Sequence, residues 1–282
     1  MSVTLIALPT VQRLSPRCIR ILGGNPGKFT LQGTNTYLLG TGHFRILVDT
    51  GEGRPIWIQS LKETLSQENA TVKVAVITHW HHDHTGGIAD LVKAFPEVKV
   101  YKNSPEAEQL AIRDGDTFTT EGATLTAHHT PGHTKDHTAL TLTEEDAIFA
   151  GDNVLGQGTA VFEDLATYLQ SLSKMKTLFS GRVYPGHGPV VENGVEKIHE
   201  YIEHRRQREE EVLRAMMAGN ASGSSETWTA MAIVKTVYKD VREDLHQAAC
   251  GGVVQMLAKL EQEGRVKQTK DGWQLQDNKS LM

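Results

Sequence analysis

The segment Thr78-His79-Trp80-His81-His82-Asp83-His84 gathers His79, His81, Asp83 and His84 within six residues. Imidazole nitrogen and carboxylate oxygen both bind zinc at roughly 2.0–2.2 Å, so such a loop, folded into a small volume, can surround a metal. Three further groups of the same chemistry follow. They are His133 in Thr130-Pro131-Gly132-His133-Thr134, Asp152 after Ala150-Gly151, and His187 in Pro185-Gly186-His187-Gly188. Each comes after a short apolar run and beside glycine, which lets the backbone bend near a crowded centre. Seven ligands are too many for one tetrahedral zinc but suit two ions with open positions. Two dications roughly 3.5–4 Å apart lower the pKa of a shared water and polarise a carbonyl or phosphoryl oxygen. Hydrolysis then needs no serine or cysteine nucleophile. One His-rich segment could be a chance surface cluster, but four strand-end elements together are not explained that way.

Other residues carry weaker expectations. Asp83 is chiefly a ligand, with a catalytic role as orienter or proton acceptor beside it. Asp49 ends another apolar run and is placed to accept a hydrogen bond from a ligand histidine. Asn153 and His137 are candidates for substrate contact, with loop structure and packing as the competing explanations. His82 is expected to point outward, and His128 and His129 to pack. His43, His199, His204 and His246 have no convergent partners in the sequence. Trp57, Trp80 and Tyr168 are available for stacking, with a core or rim place as their default.

The elements that must position these groups alternate along the first half of the chain. Val11 to Leu22 reads as a first strand, Thr36 to Leu39 and Arg45 to Val48 as neighbours, and Val72 to Thr78 as a continuous β-branched strand. Val98 to Tyr101, Thr124 to His128, Thr138 to Leu142, Ala147 to Ala150 and Arg182 to Tyr184 complete the strands. Ile56 to Leu65, Gly86 to Phe95 and Asp164 to Met175 have helical spacing, the second stopped by Pro96. A long charged helix runs from Val195 to Met217, its opposite charges at i,i+4 marking a solvated face. Gly219 to Ser225 is the best linker. Beyond it, two helices (Thr227 to Tyr238, Ala248 to Glu263) and a β pair (Arg265 to Gln268, Gly272 to Leu275) form a winged-helix-like appendage. The expected domains are residues 1–218 and 226–276.

Bulk properties narrow the function classes. The 282 residues carry a net charge of -5, so long-range attraction to nucleic acid or an anionic membrane is not built into the chain. From Glu226 to Leu275 seven Lys/Arg balance seven Asp/Glu, whereas a nucleic-acid reader normally shows a basic excess. Packing or dimerisation is the expected role of that appendage, and a homodimer stays open. Two distant cysteines, Cys18 and Cys250, make no disulfide framework, and no apolar run is long enough to span a membrane. Arg13, Arg17 and Arg20 without acidic neighbours faintly resemble a transit peptide, yet the same stretch reads better as a strand. The expected location is cytoplasmic, with a mitochondrial one as the alternative.

The pattern His79-x-His81-x-Asp83-His84, His133, Asp152, His187 resembles the metallo-β-lactamase superfamily. That resemblance implies an α/β fold, an αββα sandwich with two Zn2+ ions at one edge of its sheets. His79, His81 and His133 would hold the first ion, Asp83, His84 and His187 the second, with Asp152 bridging. Asn25-Pro26-Gly27, Gly33-Thr34-Asn35-Thr36-Tyr37, Asp49-Thr50-Gly51 and the segment from Gly156 to Asp164 extend the likeness to one subgroup. It contains the lactamase-like protein 2 endoribonucleases of animal mitochondria and fungal lactamase-like thioesterases that release polyketides from a carrier protein. The resemblance implies a thioesterase acting on an acyl or polyketide chain held by an acyl carrier protein or small thiol. Cleavage of single-stranded RNA is the alternative. Hydrolysis of glutathione thioesters comes third, and a non-catalytic metal-binding scaffold is the reading of another class.

Overall fold

The computed structural model describes residues 5–220, 227–239, 243 and 246–276. The chain forms two compact units, residues 1–162 with 167–199, and residues 163–166 with 200–282. In the first, seven strands form one sheet in sequential order. They are β1 (Val11–Ser15), β2 (Cys18–Leu22), β3 (Asn35–Leu39), β4 (Phe44–Val48), β5 (Thr71–Val76), β6 (Lys99–Lys102) and β7 (Leu110–Ala111). A second sheet holds β8 (Thr117–Thr120), β9 (Ala123–His129), β10 (Thr138–Leu142), β11 (Ala147–Gly151) and β12 (Val183–Pro185), with β12 and β8 at its edges.

Period-two alternation explains how the sheets stack. Tyr37, Leu39, Ile46 and Val48 face Leu125, Leu140, Phe149 and Tyr184 in one buried cluster between the sheets. Their neighbours Leu38 and Leu47 turn the other way, toward Trp57, Leu61 and Leu65 of α1 (Pro55–Gln67) and Leu91 of α3 (Ile88–Ala94). Strands buried on both faces read as near-continuous apolar runs, as Ala147–Gly151 does and as Cys18–Leu22 does apart from buried Arg20. On the outer side of the second sheet, α4 (Leu165–Met175) is tied down by Ser171 Oγ donating to the Pro131 carbonyl at 2.6 Å. The αββα expectation matches this arrangement.

Three details differ from the sequence reading. Val11 to Leu22 is a hairpin of two strands, with Val11 opposite Ile21, because Pro16 cannot donate to a ladder and sits in the tight turn. The stretch expected as one helix from Gly86 is preceded by a separate turn of helix, α2 (His82–Thr85), which carries Asp83 and His84. Strands β7 and β8 were not expected. Both are edge strands, Leu110–Ala111 exposed and Thr117–Thr120 with Phe118 alone buried, so neither shows an apolar run. The arginines that resemble a targeting composition have places in the fold: Arg13 pairs with Glu68, Arg17 donates to the Gly122 carbonyl, and buried Arg20 donates to Gln12.

In the second unit, α6 (Ala230–Val237) is capped by Thr229, whose hydroxyl accepts from the Ala232 N–H at 3.1 Å. Helix α7 (His246–Gln262) and the hairpin β13 (Val266–Thr269) and β14 (Gly272–Leu275) complete a winged helix. Its core gathers Ile233, Val234, Val253, Leu257, Leu260 and Val266. Lys259 reaches Glu209, on the later part of α5 (Gly194–Asn220), at 2.8 Å. Residues 221–225 of the expected linker lie outside the described residues. No helix among the described residues is long and apolar enough to cross a membrane.

Candidate metal centre

The ligand candidates converge because strands that run in one direction end together. β4, β5 and β6 are parallel in the first sheet, and β11 and β12 are parallel in the second. His79 and His81 follow β5, and Asp83 and His84 ride on α2. His133, Asp152 and His187 leave β9, β11 and β12. The end of β5 is set by Asp49, held at φ +60, a conformation that is costly for a residue with a Cβ. Its carboxylate accepts the Thr78 N–H at 2.8 Å, the Thr78 hydroxyl and, at 2.7 Å, the His84 Nδ1–H. Asp49 therefore turns the chain and also leaves His84 Nε2 as the atom that faces the cluster, as the sequence reading expected.

All seven candidates come together in two groups. One is His79, His81, His133 and Asp152; the other is Asp83, His84 and His187; within each, the possible ligand atoms lie within 4.8 Å of one another. His81 Nδ1 is 3.0 Å from both His79 Nε2 and His133 Nε2. Asp83 Oδ2 is 3.2 Å from His187 Nε2 and 3.4 Å from His84 Nε2. Asp152 touches both groups, at 3.6 Å from His133, 3.3 Å from His84 and 3.2 Å from His187.

The geometry fits a metal. Ligands at zinc distances in a tetrahedron are about 3.3 Å apart, close to these spacings. Buried His84 Nε2 and Asp152 Oδ1 lie 3.3 Å apart without forming an aligned hydrogen bond, and polar atoms buried in that way are otherwise rare. Three converging imidazole lone pairs also repel one another unless a cation lies between them.

Charge is divided unevenly within the cluster. Burial, more than any neighbour, keeps His79 well below the usual histidine range. Burial opposes protonation of His187 too, but Asp152 and Asp83 outweigh it and push that imidazole up to about 9. For Asp83, burial raises the carboxyl and the histidines His187 and His84 overcome it, holding it well below the usual carboxylate range. These carboxylates hold positive charge in place, whether it arrives as a proton or as a metal ion.

Several supporting residues carry no signal of their role in the sequence. Thr34 is fully buried and donates its hydroxyl to Asp83 Oδ2 at 2.9 Å, while Asn25 brackets Thr34 through both of its amide atoms. Asn35 donates to the carbonyls of Pro185 and Gly188, either side of His187. His133 Nδ1 donates to the Val161 carbonyl at 2.8 Å. The motif from Gly33 to Tyr37 was visible, but single-residue roles in it depend on partners about 50 and 150 residues away. Gly186 has a steric reason: a Cβ there would stand 2.2 Å from Asp152 Oδ1.

Neither His137 nor Asn153, considered as substrate contacts, lines the cavity over the ligands; both are fully buried. His82 is exposed, and His128 and His129 bond to Thr141 and to the Lys135 carbonyl. Trp57 and Tyr168 are core residues, whereas Trp80 is half exposed with its edge against the His81 ring.

A cavity of about 310 Å³ opens above the cluster, with His81, Asp83, His133, Asp152 and His187 at its base. One wall is the tip of a tight hairpin, Lys28 and Phe29, closed by the Gly27 N–H donating to the Leu31 carbonyl at 3.1 Å. The other carries Leu155, Ala160 and Val161. Gln32 and Gln157 join the walls through a 2.8 Å hydrogen bond.

Comparison with known proteins agrees with this arrangement. Residues 29–187 match the Metallo-beta-lactamase superfamily, and residues 229–273 match the Beta-lactamase associated winged helix domain. The lactamase-like protein adaB of Aspergillus niger is 44% identical over 268 residues, spanning 92% of this chain and 84% of that protein. The atrochrysone carboxyl ACP thioesterase of Aspergillus chevalieri is 45% identical over 245 residues, spanning 86% of this chain and 80% of its own length. Among solved structures, a beta-lactamase domain protein from Burkholderia ambifaria shares the fold with a TM-score of 0.78 at 19% identity, covering 95% of this chain and 94% of that one. On fold, ligand geometry and these relatives, the chain belongs to the metallo-β-lactamase superfamily.

Proposed function

We propose that this chain is a two-zinc thioesterase that hydrolyses an acyl or polyketide thioester carried by an acyl carrier protein. The observation that carries the reading is the intact seven-residue cluster in a chain 45% identical to a protein named as an ACP thioesterase. His79, His81 and His133 would hold one ion and Asp83, His84 and His187 the other, with Asp152 shared. When bound, such ions acidify water and polarise the carbonyl under attack. The protein's own part is to orient. Asp49 and Thr34 fix His84 and Asp83, and the Val161 carbonyl fixes His133. Leu31, Leu155, Ala160 and Val161 give the cavity an apolar lining suited to an acyl chain. Lys28 is the one Lys or Arg on that lining among the described residues, which is little for a track along an RNA backbone.

The test is turnover of zinc-loaded protein on an acyl thioester and on single-stranded RNA, with His81→Ala beside it. Thioester cleavage that disappears in the variant, with RNA left whole, is the expected result. RNA cleavage that disappears in the variant would overturn the thioesterase reading in favour of a nuclease.

A further inference from the structure

His137 stands outside the ligand set, yet its side chain is fully buried behind it. Its ring lies against that of His79, with centroids 5.3 Å apart and planes 33° from parallel. Nε2 accepts the backbone N–H of Asp152 at 3.2 Å. A neutral imidazole that accepts at Nε2 carries its proton on Nδ1, where Thr130 Oγ1 at 2.9 Å can receive it and the Asn153 side-chain amide stands alongside at 3.2 Å. The backbone repeats the link, since the Thr130 N–H donates to the His137 carbonyl at 2.9 Å. Next along the chain, the Thr138 N–H donates to the carbonyl of Thr78, the residue before His79, at 2.7 Å.

One side chain and its neighbour thus join three strand ends, those that carry His79, His133 and Asp152. The approach is close by construction. Gly151 is left-handed at φ +47, and a Cβ there would meet His137 Nε2 at 2.6 Å. The residue held in this way is the one whose carboxylate touches both ligand groups.

We infer that His137 is a positioning residue that sets the metal affinity of the centre by anchoring the backbone of Asp152. The inference rests on the two-metal reading above and adds to it a residue that contacts neither metal nor substrate. Partners of metal ligands typically change metal affinity by about 10–100-fold when removed. Loss of the acceptor at His137 leaves the Asp152 N–H unpaired in a buried place and frees the shared carboxylate to shift.

The experiment is zinc titration of the metal-stripped full chain against a competing chelator dye, with the melting temperature of the stripped protein measured in parallel. His137→Phe keeps a ring but offers no acceptor, and zinc affinity is expected to fall about 10–100-fold. His137→Gln places an amide oxygen where Nε2 stood and should restore most of that loss. Thr130→Val removes the nearer partner of Nδ1 while leaving the ring, and serves if the Phe variant does not fold; a fall of affinity is expected there too. A lower melting temperature with unchanged zinc affinity in His137→Phe, or in Thr130→Val where that variant stands in, would overturn the inference and leave His137 a packing residue. Equal losses in the Phe and Gln variants would overturn it as well. A parent chain that binds no zinc would instead sink the two-metal reading, and the positioning role with it.

Discussion

His79, His84, His133, Asp152 and His187 are each at most 9% exposed, whereas Phe29 and Val161, which face the same cavity, are 71% and 60% exposed. The buried set is held by partners on other strand ends: Asp49 for His84, Thr34 for Asp83, Asn35 for the loop around His187. The exposed pair sits on loops that meet through the contact between Gln32 and Gln157. The backbone of Val161 nonetheless belongs to the first set, because its carbonyl orients His133 while its side chain points into the cavity. The difference teaches where change is tolerated. Under the proposed function, chemistry would depend on the buried base of the site, and substrate choice on the exposed wall side chains Phe29 and Val161.

The comparison breaks most severely if a ligand is removed. If the proposed two-metal thioesterase reading holds, His81→Ala should lower thioester turnover by roughly 10³-fold or more, since such ions would supply several kcal/mol of transition-state stabilisation. Circular dichroism should show the fold retained.

A second expectation concerns the charge stored at the base. The folded His187 is raised from the ordinary value of 6.5 to about 9, so the metal-free chain gains stability from its protonation. That contribution is complete below about pH 6.5 and is lost as pH rises through about 9, at most about 3 kcal/mol. Thermal melts of stripped protein should therefore fall across this window, and melts of zinc-loaded protein should not. Equal pH dependence in both forms would count against an ion replacing the proton.

Asp49→Asn sharpens the distinction between ligand and support. It leaves every ligand in place, and zinc affinity or kcat/KM should fall about 10–100-fold. The smallest effect belongs to the wall. Phe29→Ala should raise KM about 10-fold or less for a thioester with a bulky aromatic acyl group, while kcat and the KM of an acetyl thioester stay nearly constant. A drop in kcat instead would show that the hairpin tip acts on the chemistry.

Much of the site was legible in the primary structure because metal ligation needs particular side chains. Histidine and aspartate at strand ends, beside glycine, are few enough to stand out, and all seven candidates do converge. The two-sheet core was legible through its apolar runs for the same kind of reason. Edge strands β7 and β8 were not, since Phe118 alone among their residues is buried and no pattern is left. The hairpin in Val11–Leu22 was hidden because only Pro16 and Arg17 separate its two strands.

What the amino-acid order determined by itself is the set of chemical groups and the elements that carry them, because residue type and local periodicity depend only on near neighbours. Tertiary structure alone decided which groups support which. Thr34 meets Asp83 across 49 positions, Asn35 meets Pro185 across 150, and His137 meets the Asp152 N–H from the start of a different strand. Such pairings are set by sheet register and by the stacking of two sheets. A threonine or asparagine that orients a ligand looks, in sequence, like any other polar residue in a turn.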